Sequence, residues 1–170
     1  GAVADEHVVA AYDDAVALDR VAGRCAAVTT EFESVPAAAL ARLERAVPVR
    51  PGAATVAICQ DRSAEKGFLR RHDLPHAPYA DILREEDCEH CEPTLLPGIL
   101  KLARCGYDGK GQARVADRAG LRAAFRDFGT RACVLERLLP LDGKLSVVLA
   151  RDAAGNTRCL PASAYHHRNG

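Results

Sequence analysis

The chain has 170 residues, enough for one domain with a full core or for two partial ones. It is 48% hydrophobic and 27% charged, ordinary for a folded globular protein, and 23 basic residues balance 23 acidic ones. Zero net charge argues against a nucleic-acid binder or a polybasic membrane binder, and no apolar run approaches bilayer length. With no signal peptide evident, the expectation is a soluble protein of the cytoplasm.

In chain order, residues 7–11 read as a short strand and 13–25 as an amphipathic helix with Val16, Leu18, Val21 and Cys25 on its apolar side. A buried strand is expected at 26–30, a helix at 36–46 and a strand-like segment at 47–49. This alternation suggests a parallel α/β layer, broken by Pro51-Gly52, so the first domain boundary is placed after residue 53. Residues 54–71 read as one or two helices, divided or continued near Gln60-Asp61, and 72–78 as a proline-bearing turn into a strand near Tyr79. The stretch 82–94 has no clear period and stays unassigned.

From residue 96 the pattern is strand, glycine-rich loop, strand (112–116), helix (117–128) and strand (134–139). One further strand is expected at 145–151, then a hairpin turn at 152–156 into 157–160. The predicted fold class is therefore α/β, becoming α+β in the second part. The chain also begins with Gly1 and contains no methionine, which suggests part of a longer protein.

The seven cysteines, at 25, 59, 88, 91, 105, 133 and 159, have no disulfide-framework spacing, and an odd number fits a reducing compartment. Cys133 and Cys159 sit in strand-like apolar settings and read as buried thiols. Cys88-Glu89-His90-Cys91 contains half of a structural zinc motif. Without a second pair at suitable spacing, a cysteine-bearing solvated loop is the preferred reading, with a zinc-stabilised interaction module as the alternative.

The chemistry concentrates in 101–112, Lys-Leu-Ala-Arg-Cys-Gly-Tyr-Asp-Gly-Lys-Gly-Gln. Glycine admits backbone N–H groups close to an anion, and Lys101 and Lys110 carry compact positive charge suited to phosphate oxygens. The run leads into a strand, so it is neither a Walker loop nor a dinucleotide fingerprint, each of which opens a helix. A strand-end lysine and a plain hairpin turn are the ordinary alternatives for Lys101 and the glycines.

Several segments recur in order: Glu31-Phe32-Glu33-Ser34-Val35-Pro36, Val47-Pro48-Val49-Arg50-Pro51, Gln60-Asp61-Arg62 with Glu65-Lys66, Pro97-Gly98-Ile99-Leu100-Lys101, the glycine loop, Leu145-Ser146-Val147-Val148 and His167-Arg168-Asn169-Gly170. This series, over nearly the whole chain, resembles the 5-(carboxyamino)imidazole ribonucleotide synthases, ATP-grasp enzymes of purine synthesis. The resemblance implies the end of a Rossmann-like pre-ATP-grasp domain (1–53), then the front part of an ATP-grasp domain (54–170) with a glycine-rich lid at 101–116. It implies that ATP phosphorylates bicarbonate and that the carboxyphosphate carboxylates aminoimidazole ribonucleotide, releasing ADP and phosphate.

By the same resemblance Lys101 is the nucleotide-phosphate lysine and Arg62 faces the nucleotide. Gly106, Gly109 and Gly111, with Gln112 following, cover the phosphates. Glu136 lies at the adenine-side hinge, Leu139 touches the base and His167 lies near the nucleotide. Tyr107, Asp108 and Lys110 serve the carboxylation site, where a hydroxyl, a carboxylate and an ammonium can orient the amine and move a proton. Glu31 and Glu33 border the ribonucleotide. Magnesium ligands are expected outside these residues, and a homodimer is the family's usual state. Lys144 stands where the family has a glutamate that accepts from the ribose hydroxyls, which an ammonium cannot do. Ala164-Tyr165 replaces a glutamate–asparagine pair, and Leu102 a small hydroxylic residue. These departures raise the alternative of a non-catalytic nucleotide-binding remnant.

Overall fold

The computed structural model describes residues 4–106 and 111–165, the last of these by its backbone alone. The chain divides into two units, Gly1–Leu138 and Leu139–Gly170.

The first unit opens with helix α1 (Ala15–Arg24), whose start is fixed by Asp14 accepting from the amides of Val16 at 2.9 Å and Ala17 at 3.0 Å. Strand β1 (Val28–Thr29), helix α2 (Ala37–Leu43), strand β2 (Val49–Arg50) and helix α3 (Ala53–Cys59) follow. β1 and β2 pair in parallel with Val28 opposite Val49, as the alternating pattern implies. Val35, Leu40, Leu43, Val49, Ala53 and Val56 form a core here, with Leu18, Val21 and Ala22 of α1 packed against it.

Two expectations fail in this region. Residues 7–11 form no strand, and Val16 and Cys25 of the supposed apolar side are exposed. Leu18, Val21 and Ala22 follow the i, i+3, i+4 rule. Val16 precedes Leu18 by two positions, about 200° around the helix, and so points away.

Helix α4 (Arg62–Arg71) then leads to a four-stranded antiparallel sheet of order β3-β6-β4-β5, made from Tyr79–Ile82, Cys133–Arg137, Gly98–Leu102 and Gln112–Val115. The unassigned stretch supplies a short helix α5 (Asp87–His90) and a 3-10 turn (Pro93–Leu95). Helix α6 (Arg118–Asp127) is capped by Asp117 accepting from Gly120 N at 2.8 Å. It ends where Gly129 takes φ +69° and Thr130 N returns to Phe125 O at 3.0 Å. One sheet face, carrying Leu100, Leu102, Cys133 and Leu135, packs with Leu121 and Phe125 into the larger core. Cys88 and Cys91 belong to that core, so they lie in an apolar interior and not in a solvated loop.

In the second unit, β7 (Lys144–Ser146) pairs antiparallel with β10 (Ser163–Tyr165), and β8 (Leu149–Arg151) with β9 (Thr157–Cys159). The single strand expected at 145–151 is thus two, because its halves take different partners on either side of Val147-Val148. The expected hairpin turn is present: Asp152 accepts from Asn156 N and Nδ2, both at 2.8 Å, and Gly155 takes φ +88°. None of the described residues from 139 to 164 is buried, Cys159 included, against the expectation for that thiol.

Candidate functional site

Alternation along β4 puts Leu100 into the core and Lys101 on the opposite sheet face. Gln112 is the register partner of Lys101 and Ile99 that of Glu136, so Lys101, Gln112 and Glu136 share this face. Here Lys101 Nζ donates to Glu136 Oε2 at 2.9 Å, and Lys66 Nζ from α4 pairs with Glu136 Oε1 at 3.3 Å. Burial works against the charge on Glu136. The hydrogen bond and charge of Lys101, joined by those of Lys66, outweigh it and hold the carboxyl below its ordinary range. The result is two ammonium groups and one carboxylate, a net positive face suited to anionic oxygens.

Arg62 opens α4, and its placement follows from the cap. Asp61 accepts from Ser63 N at 3.0 Å and Ala64 N at 3.2 Å, and Arg104 Nη1 donates to Asp61 Oδ2 at 3.2 Å. Arg62 N then donates to Ala103 O at 2.9 Å, while its side chain reaches Leu102 O from Nε and Gly106 O from Nη2, both at 3.2 Å. Arg62 therefore ties the helix start to the segment leaving β4 for the glycine loop. At the far end of that loop Leu102 N donates to Gly111 O at 2.8 Å. Gly111 has φ +79°, and a Cβ there would lie 2.7 Å from Leu102 Cδ1. Its positive φ favours glycine, and a Cβ would also have to displace the Leu102 side chain.

Next to Arg62 lies a cleft of about 670 Å³, lined among others by Glu31, Glu33, Arg62, Glu65, Arg104 and Gly106. The Glu31–Glu33 segment is held from below: Gln60 Nε2 donates to Glu33 O at 2.7 Å and Val35 O at 2.6 Å, and Thr30 Oγ1 to Phe32 O at 2.9 Å. Among the expected site residues, Glu31, Glu33, Arg62 and Gly106 thus meet at one cleft, and Lys101, Gln112 and Glu136 share one sheet face. Leu139 and Lys144 belong to the second unit, where Lys144 stands opposite Tyr165 and Leu145 opposite Ala164. Tyr107, Asp108, Gly109, Lys110 and His167 lie outside the described residues.

Sequence reasoning assigned no role to Lys66 or Gln60, and took Asp61 only as an ordinary ion-pair partner of Arg62; the structure pairs it with Arg104 instead. Lys66 stands four residues after Arg62, on the same side of α4, which is the one local signal that it joins the site. Asp61 caps its own helix, a local pattern, whereas Gln60 acts on backbone carbonyls 25 and 27 positions away and leaves no such signal. Among the described residues no group of three or more His, Cys, Asp or Glu side chains is placed to hold a metal ion. Nor is any helix among them long and apolar enough to cross a membrane.

The sequence pattern of the ATP-grasp domain matches residues 67–170, and that of the ribonucleotide synthetase preATP-grasp domain matches residues 1–60. The chain belongs to the ATP-grasp family, and the order of its parts is the expected one. Within that family it is 37% identical, over 97% of its length, to the N5-carboxyaminoimidazole ribonucleotide synthase of Pseudomonas aeruginosa, covering 46% of that protein. It is also 37% identical to the Brucella melitensis enzyme of the same name, over 99% of the chain and 47% of the relative. The solved N5-carboxyaminoimidazole synthetase of Staphylococcus aureus complexed with ADP superposes with a TM-score of 0.91 at 30% identity, covering 99% of this chain and 45% of that one. The chain spans less than half the length of these relatives.

Proposed function

We propose that this chain contributes the ribonucleotide cleft and part of the phosphate face of an ATP-dependent carbon–nitrogen ligase, which carboxylates aminoimidazole ribonucleotide with bicarbonate and releases ADP and phosphate. The observation that carries this reading is the cleft itself. It joins the Glu31–Glu33 segment to Arg62 and Gly106, at the entrance of the glycine loop. Phosphoryl transfer depends on positioning and charge neutralisation. Lys101 and Lys66 supply the cationic face, and Glu136 holds them in place until an anion competes for them.

In this reading Glu31 and Glu33 border the ribonucleotide, and Tyr107, Asp108 and Lys110 act on the amine being carboxylated. Arg62, Lys101, Gly106, Gly109, Gly111 and Gln112 serve the phosphates; Glu136, Leu139, Lys144 and His167 lie towards the nucleoside. The boundary between the pre-ATP-grasp and ATP-grasp parts falls near residue 53, and the assembled enzyme is a cytoplasmic homodimer. By the resemblance, the magnesium ligands belong to the part of the full-length enzyme that these residues do not cover.

A second reading has its own observation. Two of the three departures from the family pattern, Lys144 and Ala164-Tyr165, meet in the β7–β10 pairing, where the resemblance places a ribose-binding acceptor. This favours a nucleotide-binding chain without turnover.

One experiment separates the two. The 170 residues, which span under half of their relatives, should release no ADP above background with bicarbonate and aminoimidazole ribonucleotide present. A longer protein containing them should release ADP only when both are supplied. ATP binding by that longer protein without ADP release favours the second reading, and release that ignores the ribonucleotide overturns the first.

A further inference from the structure

Gln60 stands between α3 and α4, and no step above uses its side chain. Its backbone closes α3, with Gln60 N donating to Val56 O at 2.9 Å. The side chain turns back along the chain, where Nε2 donates to Val35 O at 2.6 Å and to Glu33 O at 2.7 Å. Both partners are carbonyl oxygens, which only accept, so the amide nitrogen must face them and both its N–H groups are spent. Residues 31–35 form turns and bends, neither helix nor strand, so no ladder of backbone bonds fixes their shape. Val35 is buried in the smaller core at one end of this segment, and Glu31 and Glu33 line the cleft at the other. Gln60 ties the cleft-lining end to the buried end.

We propose that Gln60 is a positioning residue for the ribonucleotide: by holding the carbonyls of Glu33 and Val35 it sets where the Glu31 and Glu33 carboxylates stand, and so sets the affinity for that substrate and not the phosphoryl transfer. This rests on reading the cleft as the ribonucleotide site. A carboxylate accepts from hydroxyl and amine donors only over a short range, so a backbone displacement of about 1 Å in this segment loses the contact. The chemistry of the site selects the residue type. An uncharged amide offers two donors from one nitrogen; an ionised glutamate of the same length offers none, and an asparagine is one methylene shorter. Gln60 also lines the cleft itself, where its Oε1 can only accept. Gln60→Glu separates the two roles, because it keeps an acceptor oxygen and loses both donors.

The test is steady-state ADP release by the full-length enzyme containing these residues, as the parent, as Gln60→Ala and as Gln60→Glu, with aminoimidazole ribonucleotide and ATP varied in turn. Both variants should raise KM for the ribonucleotide about tenfold or more, with kcat and KM for ATP within about twofold of the parent. Gln60→Glu should be the worse of the two at about pH 8, where its carboxylate faces two carbonyl oxygens. Burial and those oxygens favour the neutral carboxyl, which regains one O–H donor, so the KM of Gln60→Glu relative to Gln60→Ala should fall towards or below one by about pH 5.5. A ratio that stays constant with pH overturns the proposal, as does a Gln60→Glu enzyme that matches the parent while Gln60→Ala is impaired. Equal rises in both KM values, or a fall in kcat alone, also overturn it. If Gln60→Glu does not fold, the KM split in Gln60→Ala decides. A parent whose ADP release ignores the ribonucleotide removes the reading of the cleft. A parent that depends on it, with variants whose KM is unchanged, overturns the role of Gln60 alone.

Discussion

Glu136 sits between two ammonium groups, Lys101 at 2.9 Å and Lys66 at 3.3 Å, on strand and helix positions too shielded for water to separate them freely. Glu136→Gln removes the acceptor charge and leaves two lysines facing each other. It should lower stability at neutral pH by roughly 1–3 kcal/mol, read from urea unfolding. The pH dependence has a definite sign. The folded-state value of Glu136 is depressed, so its contribution is complete above the ordinary glutamate range and is lost as pH falls through the depressed value. The gap between the two proteins should therefore close in acid, and a gap that stays constant would assign the loss to packing. Lys101 was legible from the sequence because it ends an apolar strand beside a glycine run. Lys66 was not, since an exposed helix would carry the same lysine. Gly98 was read only as part of the segment before Lys101, although a Cβ there would meet Leu95 O at 2.6 Å and Glu136 O at 2.8 Å.

At the scale of elements, α4 is the part that brings the cleft and the cationic face together, and its start depends on one carboxylate. Asp61→Ala removes the cap on Ser63 N and Ala64 N and should cost about 1 kcal/mol in thermal or urea unfolding. Asp61→Asn keeps a capping oxygen and loses only the pair with the exposed Arg104, so it should differ little from the parent. Equal losses in the two variants would mean that the ion pair, and not the cap, sets the helix start. Caps, turn residues and period-2 alternation are local, which is why α1, α4, α6 and the sheet strands were expected close to where they lie. The strand expected at 145–151 fails for the complementary reason. Val147 to Ala150 reads as an unbroken apolar run that runs on from Leu145-Ser146, but β7 and β8 hydrogen-bond to different strands, and partners are not encoded in residue type.

Over the whole molecule, burial is unevenly shared. Leu100, Val134 and Leu135 are wholly excluded from solvent in the first unit, whereas no described residue from 139 to 164 is buried. Hydrogen exchange followed by mass spectrometry should therefore find the amides of β4 and β6 at least about a hundredfold slower than those of β8 and β9. Similar protection in both would mean that the second unit acquires a core in solution. The sequence by itself determined the family, the order of the two parts and the glycine loop with its lysine, because these are short motifs read in order along the chain. Only the tertiary structure decided that Lys101 and Lys66 converge on Glu136, that Glu31 and Glu33 share a cleft with Arg62, and that Cys59 and Cys105 face solvent while Cys88 and Cys91 fill the core. The Lys101–Glu136 bond spans 35 positions and the Arg62–Gly106 bond 44. Contacts at such separations depend on how sheet and helices pack, a property of the folded chain that no local pattern of residue types contains.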